Sequence, residues 1–317
     1  GDAPQAGLRA NLDYVLACID KAQQFGGRCD LLCFHEFPLQ GYRLHWTRRQ
    51  YLNVAIEVPG PEVMEIAARA KRWNCYVTFG CLARDASWPG HVFNWQVMVG
   101  PTGEVVDVHW KQRNVRGMFP GAENFTTTIY DVLDEYVERY GQDRVIPVAK
   151  TDIGNIAMSA VQFEPELFRC MALKGAEIIC RVATGGCEWE DMRLTSYHNS
   201  LYTTLVNNSL NTGAGSPDFF EESASRNDWV GRSAIFGPRG EVLAEADKFE
   251  TRRRAVLPMK EFRARHRIPD VHLALYRPVF DAYRERYDPG LYSKHLPQDK
   301  LEAFKHFQAN ARWTHYW

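Results

Sequence analysis

The chain has 317 residues, 45% of them hydrophobic, and a formal net charge of −1. That length can bury a full core, and so even a charge balance gives no electrostatic case for nucleic acid or an anionic membrane surface. No run of 18 apolar residues long enough to span a bilayer occurs, and the first residues carry no signal-peptide pattern.

In chain order, Ala10 to Phe25 reads as an amphipathic helix with Leu12, Val15, Leu16, Ile19 and Ala22 on one face. Asp30 to Phe37 reads as a buried strand. Pro59-Gly60-Pro61 predicts a turn and then a helix from about Glu62 to Trp73. Strands follow at Cys75 to Leu82, Phe93 to Val99 and Val105 to Trp110, the last two joined by the Pro101-Thr102-Gly103 turn. Arg113 to Asp143 is a long excursion, helical from Val132 to Tyr140. Ile153 to Ser159 is read as a strand, Pro165 to Lys174 as a helix, Glu177 to Val182 as a strand and Thr195 to Thr204 as a helix. Leu205 to Asn211, Gly231 to Gly237 and Val242 to Ala246 read as further strands, and Arg253 to Leu257 closes the body. Beyond residue 258 the texture turns aromatic, His-rich and Arg-rich. Alternating strands and helices with antiparallel hairpins predict a mixed sheet covered by helices.

The eight cysteines (Cys18, Cys29, Cys33, Cys75, Cys81, Cys170, Cys180, Cys187) form no C-x-x-C and no zinc spacing. Buried, reduced thiols in a cytoplasmic protein are the expectation.

Three separated segments carry candidate chemistry. DLLCFHEFPLQGY, Asp30 to Tyr42, places Glu36 at the end of an apolar run, where an ionised carboxylate is costly to bury unless paired. VVDVHWKQRNVRGMFPGAENF, Val105 to Phe125, places Lys111 at a strand end. GNIAMSAVQFEPELFRCMALKGAEIICR, Gly154 to Arg181, reads as strand, sharp turn, helix, strand, with Ser159 at the turn. Singly, Glu36 reads as an exposed strand-end acid and Lys111 as a surface base.

As a set, with Pro59-Gly60-Pro61, Asn94, Lys174-Gly175-Ala176-Glu177 and Gly231-Arg232-Ser233, they resemble the nitrilase superfamily of carbon–nitrogen hydrolases over about residues 8 to 257. The stretch after Arg181 most resembles the aliphatic amidases, formamidases and carbamoyl-amino-acid hydrolases; in the first two a helix with an aromatic–x–Asn pattern follows, here Tyr197-His198-Asn199. The resemblance implies an α/β fold, a four-layer α-β-β-α sandwich spanning residues 1–257, with a C-terminal extension over 258–317. That fold opens with a strand ahead of the first helix, so an upstream segment of roughly 20 residues is expected, the length of one strand and its loop.

The resemblance further implies hydrolysis of a small amide or carbamoyl compound. Glu36 would be the general base, Lys111 the partner of Glu36 and of the oxyanion, and residue 159 the nucleophile. Substrate contacts would fall to Arg116, Glu166, His198 and Trp189, the last as an apolar wall or a simple core residue. No metal and no organic cofactor is implied. The expected partners are a small molecule and further copies of the chain, with Trp313, Tyr316 and Trp317 of the extension packing on another subunit.

Four site positions depart from the family pattern. Ser159 stands where the family has Cys, Val161 where Asp is frequent, His35 where it has Pro, and Arg116 where aliphatic amidases carry a second Glu. Three readings stay open. Ser159 is a natural nucleophile, or belongs to a relative that has lost hydrolysis and binds its ligand or serves as an assembly partner, or is an engineered replacement of Cys. Cys187 offers an alternative nucleophile, against an inert loop thiol, and His35 or His198 an alternative base for Ser159.

Overall fold

The computed structural model describes residues 3–43, 45–117, 121–184, 188–208, 232–247 and 252–313. Two sheets lie face to face. The first runs in the order β1 (Leu31–Cys33), β2 (Tyr76–Ala83), β3 (Phe93–Val99), β4 (Val105–Trp110). Its β1–β2 pair is parallel and the others are antiparallel. The second runs β10 (Val242–Ala246), β9 (Ser233–Phe236), β8 (Tyr202–Asn208), β7 (Ile178–Thr184), β6 (Gly154–Ser159), β5 (Ala149–Thr151). Its centre, β6–β7–β8, is parallel.

Helices α1 (Ala3–Phe25) and α3 (Pro61–Trp73) cover the first sheet, seating Leu12, Ile19, Val63 and Ile66 against Val77, Phe79 and Val97. Helix α5 (Pro165–Leu173) covers the second, with Phe168 and Met171 against Ala157 and Ile179. Between the sheets lie Tyr76 and Met98 from one side and Ile156, Met158, Ile178, Cys180 and Tyr202 from the other. The result is the expected α-β-β-α sandwich. It also explains why β2 and β3 read as continuous apolar runs: both faces of each are buried.

Several boundaries move. Helix α1 starts at Ala3 rather than Ala10. The regular strand in the Asp30 to Phe37 run ends at Cys33, and His35 and Glu36 lie beyond it. A helix not expected from the sequence, α2 (Arg48–Val54), is nucleated by a capping box in which Thr47 and Gln50 satisfy each other's backbone N–H groups. The helix placed at Thr195 to Thr204 is α6 (Trp189–Asn199). It ends where Ser200 takes a left-handed φ of 53°, and β8 begins two residues later in β-branched sequence. Arg253 to Leu257 forms no strand. Between β4 and β5 the chain forms α4 (Leu133–Tyr140), close to where it was expected. The extension adds α7 (Met259–Arg265), α8 (Leu273–Ala282) and α9 (Lys300–Asn310).

The extension does not behave as one unit. Its second half closes on its own body: Tyr287, Leu291, Tyr292, Ala303 and Phe307 share a core with Phe37, Tyr51, Leu82 and Phe125. Those aromatics find an apolar wall within the same chain. Trp313 is partly exposed beside Tyr283, and Tyr316 and Trp317 lie outside the described residues. Helix α8 is different, with no buried residue at all.

Candidate active site

Glu36 is delivered by backbone pairing beyond the formal strand. Phe34 N–H donates to Thr78 O (2.8 Å) and Gly80 N–H to His35 O (3.1 Å). A Cβ at position 80 would lie 2.1 Å from the Glu36 carbonyl oxygen, so only glycine lets β2 pass there. The Glu36 side chain is buried, the residue 6% exposed. Its Oε1 accepts from Asn94 Nδ2 (2.6 Å) and from Lys111 Nζ (3.4 Å), and Asn94 Oδ1 accepts from Gln96 Nε2 (3.1 Å). Asn94 and Gln96 are two apart on β3 and so share a face. Lys111 follows the end of β4, where its N–H donates to Asn94 O (2.9 Å). A carboxylate taken out of water is held here by one ammonium and one amide, the pairing its burial demands.

Ser159 ends β6 and is 1% exposed. Its Oγ accepts from Val161 N–H (3.1 Å) and donates to Gln112 Oε1 (3.4 Å). Among the described residues no hydrogen bond joins Ser159 to Glu36 or Lys111. Gln112, next to Lys111, therefore links the two halves, and its Nε2 is buried without a partner among the described residues.

The turn after Ser159 is clamped twice. Phe163 adopts a left-handed φ of 58°, a conformation that needs external support. Arg113 donates from Nη2 to Gln162 O (2.9 Å) and Phe163 O (3.1 Å) while its Nε meets the Glu164 carboxylate. Arg181, fully buried on β7, donates from Nη2 to Val161 O (2.8 Å) and Asp191 Oδ2 (2.6 Å) and from Nη1 to Thr195 Oγ1 (2.7 Å). A strut also crosses from β4 to β6. His109 Nδ1 accepts from Met158 N–H (3.1 Å) while its Nε2 pairs with Asp107 (3.2 Å), which also accepts from Arg144 (2.6 Å). Burial pushes the Asp107 carboxyl up, but His109 and Arg144 outweigh it and hold the group at about 2.

A carbon-nitrogen hydrolase family model matches residues 3–257. The chain belongs to the carbon–nitrogen hydrolase family, the nitrilase superfamily. A bifunctional nitrilase/nitrile hydratase of Lupinus angustifolius is 29% identical over 62% of this chain and 54% of its own length. One from Nicotiana tabacum is 31% identical over 42% of this chain and 33% of its own length. The chain thus spans about half the length, or less, of these curated relatives. Among solved structures, a carbon–nitrogen hydrolase from Helicobacter pylori superposes with a TM-score of 0.67 at 16% identity, covering 88% of this chain and 95% of the other. An amidase from a Nesterenkonia species superposes with a TM-score of 0.56 at 15% identity, covering 86% of this chain and 90% of the other. At such identities these structures speak for the fold.

Within that family frame, the structure joins Lys111 to Glu36, and it joins Ser159 to Gln112, the residue after Lys111. It does not bring the expected substrate contacts to them. The Arg116 guanidinium is buried and turned to Asp131 (3.0 and 3.2 Å), Asn124 O (2.6 Å) and Tyr292 Oη (2.8 Å), so it ties the extension to the body. Trp189 opens α6 inside a core of Met192, Leu205 and Phe236 with Arg232 stacked on it, which favours the core reading. His198, near the far end of that helix, and Glu166, in the first turn of α5, are exposed. The acid beside the turn that makes a contact is Glu164, through Arg113. Cys187 and Met118 to Pro120 lie outside the described residues. Half-buried His35 is pushed down to about 4 by loss of hydration, and its Nδ1 accepts from Phe37 N–H (3.3 Å).

Gln112, Arg113, His109 and Arg181 were missed from sequence. The period of a strand tells which face a residue shares, but not which partner crosses from the other sheet. Among the described residues no helix is long and apolar enough to cross a membrane.

Proposed function

We propose that the chain hydrolyses a non-peptide C–N bond in a small amide or carbamoyl compound. The observation that carries this reading is the buried Glu36 carboxylate held by Asn94 and Lys111 beside the end of β4. Glu36 acts as base. It takes the Ser159 hydroxyl proton as Oγ attacks the carbonyl carbon, and Lys111 stabilises the oxyanion. Glu36 returns the proton to the departing ammonia or amine. It then deprotonates the water that releases the acid and frees Ser159. Serine gives up its proton far less readily than cysteine, so this route depends on the hydroxyl turning from Gln112 to Glu36. The amide and carbamoyl class is argued from the sequence pattern after Arg181, and nitriles are the competing class.

The Ser159–Gln112 hydrogen bond favours a second reading, a relative that binds a small amide or carboxylate without turnover. A neutral amide oxygen holds the hydroxyl proton but cannot remove it. Release of ammonia from acetamide, formamide, a carbamoyl amino acid and a nitrile decides between them. Turnover abolished in Ser159→Ala supports hydrolysis by this chain. Turnover found only in Ser159→Cys supports the non-hydrolytic reading. Absence of turnover in both, with no binding of any of these compounds, removes both. We also propose self-association through α8, whose Leu273, Leu275, Tyr276, Val279 and Phe280 are exposed. Sedimentation of Val279→Glu/Phe280→Glu checks it, since an unchanged assembly state excludes this surface.

A further inference from the structure

We infer that Cys33 and Cys180 form a reversible disulfide that ties the two sheets together. Cys33 is the last residue of β1, the edge strand of the first sheet, and is half-buried. Cys180 lies mid-strand in β7, inside the second sheet, and is buried. The residues are 147 apart in sequence, yet their sulfurs are 3.8 Å apart across the layer between the sheets. A disulfide has an S–S length of about 2.05 Å, so bond formation needs an approach of about 1.8 Å.

The neighbours favour the reaction. Cys33 pairs in register with Thr78 on β2, and Cys180 with Thr204 on β8. Both threonine hydroxyls are buried with no hydrogen-bond partner among the described residues. Contact with Cys180 lowers the pKa of the Cys33 thiol, burial opposes this, and the Thr78 and Thr204 hydroxyls add to the lowering, while the same contact and burial raise the Cys180 thiol well above its ordinary value. A hydroxyl in this position donates to a thiolate, which is the form that reacts. The required movement has somewhere to go. β7 is fixed between β6 and β8, whereas β1 is an edge strand, paired on one side only among the described strands although that pairing runs on through His35. The Cys33 end of β1 therefore gives, and it leads directly to Glu36.

With hydrogen peroxide as oxidant, the Cys33 thiolate attacks one peroxide oxygen. That breaks the O–O bond and gives a sulfenic acid and, after proton uptake, water. Cys180 sulfur then displaces the sulfenic hydroxyl as a second water. In sum, two thiols and one peroxide become one disulfide and two waters, and a dithiol supplies the two electrons and two protons that reverse it.

The test uses the purified full chain treated with hydrogen peroxide, alkylated, digested without reductant and analysed by mass spectrometry. The expected result is a peptide pair joining Cys33 to Cys180, lighter by two hydrogens. It is abolished by dithiothreitol and absent from Cys33→Ser and Cys180→Ser. The oxidised chain should also melt at a higher temperature than the reduced one, because so long a loop is closed. Peptide mapping of the unsubstituted chain is informative even where a serine variant folds poorly. The inference is overturned if both residues remain alkylatable at peroxide doses that oxidise half-buried Cys29 and Cys170. It is equally overturned if the link forms only in urea-unfolded chain.

Discussion

The two halves of the site are built to different standards. The Glu36 half is complete as it stands: a buried carboxylate, an ammonium and an amide from neighbouring strands of one sheet, each oriented by backbone pairing. The Ser159 half has equal scaffolding, two arginine clamps and a histidine strut, but its hydroxyl points to Gln112 and not to a base. A fold can therefore keep a buried, paired carboxylate and a braced turn while the hydroxyl at that turn has no base as its hydrogen-bond partner. Positioning is common to a hydrolase and to a binder, and activation separates them.

The largest expected effect is on the complete half. Glu36→Gln keeps the acceptor for Asn94 but loses the base, and should lower ammonia release by about 10²–10⁴-fold. Unchanged release would place the base elsewhere. The second sheet offers the next test. Arg181→Met leaves the Asp191 carboxylate without its buried partner and Val161 O without a donor. Unfolding in urea should show a loss of about 3–5 kcal/mol. A loss below about 1 kcal/mol would mean that this clamp does not hold the turn.

The loop between the halves carries a pH-dependent element. Glu123 is fully buried, its Oε1 accepts from Gly117 N–H, and burial pushes its carboxyl up to about 7 against the opposing pull of Arg116. The folded pKa lies above the unfolded one, so the folded chain binds more protons between the two values. Stability is then fully present below about 4.5 and falls as pH rises through about 7, on the order of 3 kcal/mol in all. Glu123→Gln keeps the acceptor and should remove this slope, so thermal melting of both proteins from pH 5 to 8 should converge at the acid end. Parallel curves would refute the assignment.

Much of this was readable from sequence where local chemistry decides. Phe93–Val99 and Val105–Trp110 fall where expected because Pro101-Thr102-Gly103 fixes the hairpin between them. Glu36 and Lys111 were legible as a spaced set. Asp30 to Phe37 was read too long because an extended loop and a strand share the same apolar run, and only Gly80 on another strand shows where Glu36 leaves the sheet. Arg116 was read as a pocket charge because no local pattern announces Asp131 and Tyr292 as its partners. Helix α2 had a readable signal in Thr47 and Gln50, masked by the aromatic residues around it.

The smallest effect sharpens the comparison most finely, because it sets the second clamp against the first. Arg113 and Glu164 are both partly solvated, with side chains 24% and 37% exposed, whereas the Arg181 side chain is fully buried. An ion pair in contact with water contributes little, so Arg113→Met should cost at most about 1 kcal/mol in urea unfolding. Its carbonyl contacts at Gln162 and Phe163 nevertheless support the left-handed residue that closes the turn after Ser159. The variant should thus lower turnover, or ligand affinity if the chain only binds, out of proportion to its stability loss. Equal, small losses in both would assign the geometry of the Ser159 turn to Arg181 alone.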